Sequence, residues 1–162
     1  MDIDTSKALR RVFSELVNGT SPKGGFVLNS GDVGLLASLD RLTAEEASQS
    51  ANDGATIAAH TEHVRYGLEL MNEWAARGGN PFANARWDAA WKISRVDKPQ
   101  WQEIRKGLHD EATKWVAVLN TPREMSSVEL TGLVGSVAHL AYHIGAIRQI
   151  DRSTRGPKDG TF

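Results

Sequence analysis

His139 and His143 stand four residues apart in the stretch Ser136-Val-Ala-His-Leu-Ala-Tyr-His-Ile-Gly-Ala-Ile-Arg-Gln-Ile150. On a helix that spacing stacks two imidazoles one turn apart on one face, where both can bind one metal ion. A third ligand must come from elsewhere in a chain with five histidines. His60 and His63 share a second helical segment, and His109 lies in a third. In the second segment the apolar stripe runs through Ile57, His60, Val64, Gly67 or Leu68, and Met71, which turns His60 inward. His63 neighbours it on the side of Thr56, Gly67 and Leu70, as a supporting group or a rival ligand. His109 sits among polar residues, between Lys106 and Glu111, and reads as surface.

A single buried histidine is usually a hydrogen-bonded core residue. A pair on the most apolar helix, with another histidine available opposite, favours a shared metal, because one ion satisfies a nitrogen of each ring. Neutral imidazoles suit Zn, Ni, Co or Fe better than Mg or Ca, which take oxygen. Three protein ligands leave a position for water, as in catalytic rather than structural zinc sites. Such an ion acidifies bound water or polarises a carbonyl. Glu62, Asp110 and Tyr142 are the candidates for groups supporting the ligands, although Glu62 also reads as solvated and Tyr142 as packing. No catalytic base stands out. Arg148 can hold an anionic substrate group or close a helix-end salt bridge. The tryptophans at 74, 87, 91, 101 and 115 read as core and helix packing, with Trp87 or Trp91 as the pair able to line a pocket.

These residues need helices to position them. The first helix is expected to start after Asp4 or Thr5, carry Leu9, Val12, Phe13 and Leu16 at helical spacing, and stop at Asn18-Gly19. Residues 32–39 read as a turn or two of helix, and Thr43 to Glu46 has the form of a capping box. The second long helix is expected over roughly 55–76, ending before Gly78-Gly79-Asn80-Pro81. Residues 80–96 read as a packed connection. Asp97 caps a third helix that carries Pro99 in its first turn and runs to about Leu119, with Asn120-Thr-Pro122 ending it. Ser126 to Glu129 is a second capping box, opening a fourth helix over roughly 127–151. That helix is apolar nearly all round, except for a face of Gly132, Ser136, His139, His143 and Ala146, so it is central. The reading is one all-α domain over 1–151, a small helical bundle, followed by a polar tail over 152–162 that is expected to fray.

Composition narrows the chemistry. At 162 residues with 40% apolar and 24% charged content, the chain is large enough for one core. A net charge of −1, with mixed signs throughout, offers no footprint for nucleic acid or a membrane surface. With no cysteine, thiolate nucleophiles, disulfides and Cys-type zinc sites are excluded, which suits a cytoplasmic setting. The polar N-terminus is not a signal peptide, and no run of about 18 apolar residues suggests a spanning segment. Dinucleotide-binding, phosphate-loop, GxSxG and HExxH motifs are absent.

Three stretches together resemble the DinB/YfiT-like superfamily of metal-dependent enzymes. They are Ile57-Ala-Ala-His60-Thr-Glu-His-Val-Arg-Tyr, then Trp87-Asp-Ala-Ala-Trp91 on to Val96-Asp97 and Trp101, and finally Val137-Ala-His139-Leu-Ala-Tyr-His143-Ile-Gly-Ala-Ile-Arg-Gln149. They span most of residues 26–150. The resemblance implies a four-helix bundle of up-down-down-up topology with a divalent ion, often zinc or nickel, held by His60, His139 and His143. It also implies relatives that use low-molecular-weight thiols in S-transfer or isomerisation. The common family ending, a further histidine with Gly-Gln, is replaced here by Ile144-Gly145-Ala146.

Two functions are therefore expected from different classes. One is an enzyme whose three-histidine ion activates water or a low-molecular-weight thiol toward a small-molecule substrate, as a hydrolase or S-transferase. The other is a non-catalytic binding or scaffold protein, such as a homodimer, with a structural or vestigial metal site.

Overall fold

A computed structural model describes residues 3–121 and 124–154 of the chain. Six α-helices make up the described residues: α1 Ile3–Asn18, α2 Gly34–Asp40, α3 Ala44–Ala47, α4 Ile57–Arg77, α5 Lys98–Leu119 and α6 Ser127–Ile150. Short 3-10 turns add Pro81–Asn84, Ala90–Lys92 and Arg152–Thr154. No strand occurs among the described residues, only an isolated bridge between Ser21 and Gly24. The chain is all-α.

The helix starts follow local chemistry. Thr43 with Glu46, Asp97 with Gln100 and Ser126 with Glu129 each form a reciprocal capping box, satisfying backbone N–H groups that have no partner within the helix. Thr56 Oγ1 accepts from Ala59 N at the start of α4 and donates to the Ile93 carbonyl, so one hydroxyl both caps α4 and ties the 78–97 connection to it. Asn52 and Asp53 adopt positive φ (54° and 57°), which breaks the chain between α3 and α4. Helix α1 begins at Ile3, ahead of the expected Asp4 or Thr5 cap. Pro122 and residues 155–162, most of the expected frayed tail, lie outside the described residues.

Helix α4 packs on α5 and α6, and α1 packs on the same two helices from the other side. Phe13, Leu16, Leu68, Leu108, Leu133, Leu140 and Ile147 meet in the core between them. Trp101 and Trp115 are fully enclosed there, and each indole N–H still finds an acceptor, at the Leu42 carbonyl and at Ser136 Oγ. Pairwise contacts set the helix directions. Asn72 of α4 donates to Glu111 of α5, and Arg65 one side of it lies against Gly107, so α4 and α5 run parallel. Ser6 of α1 donates to the Leu119 carbonyl at the end of α5, so those two run antiparallel.

Parallel neighbours need a connection that travels back the full helix length. Residues 78–97 do this, and in returning to the start of α4 they lay Trp87 and Trp91 across it. Helix α6 is, by length and composition alone, apolar enough to cross a membrane, a property that counting consecutive apolar residues missed. Against α1 and α4 it contributes Leu133, Leu140, Ile144 and Ile147 to the core, and at its end Arg148 forms a two-pronged ion pair with buried Asp32.

Candidate metal centre

Helices α4 and α6 run antiparallel where their histidines meet, with His63 level with His139 and His60 level with His143. His63 Nε2 lies 3.0 Å from His139 Nε2, and His143 Nε2 lies 3.0 Å from the same atom. One nitrogen each from His63, His139 and His143 therefore falls within a 4.8 Å sphere of mutual distance. His60 approaches from behind, its Nδ1 2.9 Å from His143 Nδ1.

The donor set fits a metal ion. Bonds of about 2.0–2.1 Å to a tetrahedral ion place neighbouring nitrogens about 3.3 Å apart, inside the range observed here. His139 Nε2 carries either one proton or one lone pair, so it makes one full hydrogen bond although two nitrogens approach it. A shared cation satisfies all three. Burial, reinforced by the neighbouring histidines, pushes His143 down to about 3 and His63 down to about 4. Burial also lowers His60 and His139. All four rings are thus neutral near pH 7, with lone pairs to offer.

The expected ligand set placed His60 with His139 and His143, whereas the convergent nitrogens belong to His63, His139 and His143. The reason lies in helix rotation. His60 and His63 are three residues apart and share the inner face of α4, but His63 is the more buried, 8% exposed. Its ring is held by stacking on Trp91, at 4.3 Å between centroids and 28° between planes, and its Nδ1 is buried without a hydrogen-bond partner. His60 instead backs His143. If His60 Nδ1 accepts, His143 carries its proton on Nδ1 and presents a bare Nε2 to the centre, the tautomer a ligand needs.

The other expected participants separate clearly. Glu62 binds Arg65 along α4, and Asp110 binds Lys106 on the exposed face of α5, so neither supports the histidines. Tyr142 is 72% exposed and sets its ring edge-on to His143 at 5.0 Å, a packing contact. His109 is on the surface beside Asp40. Arg148 is committed to Asp32, which settles it as a structural pair.

Trp101 and Trp115 are core, but Trp87 and Trp91 are not. Trp91 lies against His60 and His63, and Trp87 against His63 and Tyr66. Trp87 also walls a cavity of about 430 Å³ beside the histidines, with His63 and His139 at its inner end and Gly67, Met71 and Gly132 along it. The sequence singled out this pair as able to line a pocket, but their segment lacks helical periodicity, so their place against the histidines follows only from the return path of the chain.

No family model, curated protein or solved structure matches the chain significantly.

Proposed function

We propose that the protein is a metal-dependent enzyme of the DinB/YfiT type, in which His63, His139 and His143 hold a zinc or nickel ion and His60 orients His143. The observation that carries this reading is the convergence of three neutral Nε2 atoms beside an open cavity. The four long helices support the topology side of it. With α1 opposed to α5, α4 parallel to α5 and α6 opposed to α4, their directions agree with an up-down-down-up four-helix bundle.

A divalent ion in this position supplies positive charge that lowers the pKa of a water or thiol brought against it. The surrounding residues bear on which of the two is used. No carboxylate or lysine lines the cavity beside the histidines, so hydrolysis would lack a side-chain base. A thiol held by His63, His139 and His143 through such an ion would be acidic enough to give its proton to solvent without a side-chain base. The chain has no cysteine, so the thiol must be a small molecule, and S-transfer to an electrophilic small-molecule substrate is the favoured chemistry. Trp91 shields the histidines from water on the outer side, and Ser136 on the cavity wall is already engaged with Leu133 and Trp115.

Elemental analysis of untagged protein purified without chelator tests the metal, with about one Zn or Ni per chain expected in the wild type and none in His139→Ala. A panel of low-molecular-weight thiols with electrophilic acceptors then tests the reaction. Metal-loaded protein that neither binds thiol nor turns over any acceptor would leave the scaffold reading ahead.

A further inference from the structure

The cavity beside the histidines is not a closed chamber. A second cavity of about 390 Å³ adjoins it, and the two share Met71, Phe82 and Gly132 as walls. The second opens past Trp74 and Val128, between the end of α4 and the start of α6. Val128 and His139 are eleven residues apart on α6, roughly 16 Å at the rise of an α-helix. The two cavities therefore form a groove running from the histidines to the end of the molecule.

The groove exists because α6 offers glycine where a side chain would fill it. A Cβ built on Gly132 or Gly135 meets nothing within 4 Å, and both residues face the inner cavity. Neither has the positive φ that would require glycine for backbone reasons. Glycine inside a helix lowers its stability, so a helix that carries two in one stripe keeps space at a cost. The lining of the inner cavity holds no charged side chain. Its polar side chains are His63 and His139 at the inner end and Ser136, whose hydroxyl donates to the Leu133 carbonyl and accepts from Trp115. At the outer end the one carboxylate, Glu129, accepts from Ser126 N in the capping box. A ligand lying in the groove finds mostly apolar walls, with Asn80 and Glu129 at the outer mouth and the nitrogen atoms of His63 and His139 at the inner end.

We infer that this groove takes an uncharged, chain-like apolar small molecule, such as an alkyl or acyl chain, with its polar end toward His63 and His139. The groove stands on its own lining; only the direction of the polar end rests on the metal-centre reading.

The test uses displacement of the neutral fluorophore N-phenyl-1-naphthylamine by straight-chain primary alcohols of increasing length, in metal-loaded and chelator-stripped protein. Affinity should rise by roughly fourfold per methylene, until the chain fills the groove. Gly132→Leu should abolish fluorophore binding, while Gly145→Leu, an exposed glycine of the same helix with nothing within 4 Å, should leave it intact. Both leucines favour helix, so loss of fold does not explain a difference, and bound metal measured on the same samples should be unchanged. In zinc-loaded protein alone, alkanethiols should outcompete alcohols of equal length; equal competition would overturn the inward placement of the polar end. Length-independent displacement, or equal displacement in chelator-stripped protein by alkyl chains carrying a terminal carboxylate, would overturn the inference. Chain-length dependence abolished by Gly132→Leu in a protein that takes up no metal would sustain the groove and overturn only the metal reading. Fluorophore excluded only at protein concentrations where the chain dimerises would assign the groove to a second copy and overturn the inference.

Discussion

His60 and His143 meet Nδ1 to Nδ1 at 2.9 Å, on the opposite side of the His143 ring from the nitrogen that faces His139. In many metal sites this outer position is taken by a carboxylate or a backbone carbonyl, which fixes the tautomer and orientation of the ligand. Here a second imidazole takes it. The two histidines of α4 should therefore differ in kind when removed. His63→Ala is expected to lose the metal, whereas His60→Ala should keep the stoichiometry and weaken affinity by about 10–100-fold. Competition against a chromophoric chelator reads both. Loss of metal in His60→Ala with retention in His63→Ala would return the ligand set to His60, His139 and His143.

The same four rings make the metal-free protein sensitive to acid. An unfolded histidine takes up its proton near 6.5, but His63 stays neutral in the fold until about 4 and His143 until about 3, chiefly because burial disfavours the charged ring. Between these values the unfolded chain binds more protons than the folded one, so stability falls as pH falls through that window. Above pH 6.5 this contribution is flat. Thermal melting of chelator-stripped protein from pH 7 to pH 4 should show the decline, and replacing His143 with Gln should reduce it. A melting temperature that does not change over that range would contradict the burial of these rings.

Arg148 and Asp32 form a pair that joins the end of α6 to the start of α2, and Asp32 also accepts from Gly34 N at 2.9 Å. The carboxylate side chain is 1% exposed and the guanidinium 16%. Arg148→Met would strand a buried charge and should cost about 3–5 kcal/mol, a fall in melting temperature of about 2–4 °C for each kcal/mol. Metal content and fluorophore binding should be unchanged, because neither residue lines the histidine centre or the groove. Loss of ligand binding at intact stability would instead make Arg148 a substrate anchor.

Helix identity was legible in the chain because it is written locally. Thr43 and Ser126 each announce a helix start with a glutamate three residues on, Asp97 announces one with Pro99 in the first turn, and the apolar stripes of α1, α4 and α5 mark their inner faces. The histidine pair on α6 was legible for the same reason, since His139 and His143 need only helical geometry to coincide. The choice between His60 and His63 was not. Both lie on the inner face of α4, and which one meets His139 depends on how α4 is rotated against α6, a property of packing rather than of either segment. Trp87 and Trp91 were legible as a pair able to line a pocket, but not as a cover over the histidines. They sit in a connection without periodicity, and their place over the histidines follows from the parallel course of α4 and α5, which sends the intervening chain back across the site.

Trp91 provides the last expectation. It is 41% exposed, yet its inner face stacks on His63 and its edge meets His60. A half-exposed indole contributes little to the core, so Trp91→Ala should change stability by no more than about 1 kcal/mol. Its removal should open the outer side of the centre to water and release the ring of His63, which has no hydrogen bond at Nδ1 to hold it. Metal should then leave faster: the rate of transfer to an excess of chelator should rise while the amount bound at saturation stays the same. A transfer rate equal to that of the wild type would mean that His63 is held by the helix alone and that the indole is only a cover.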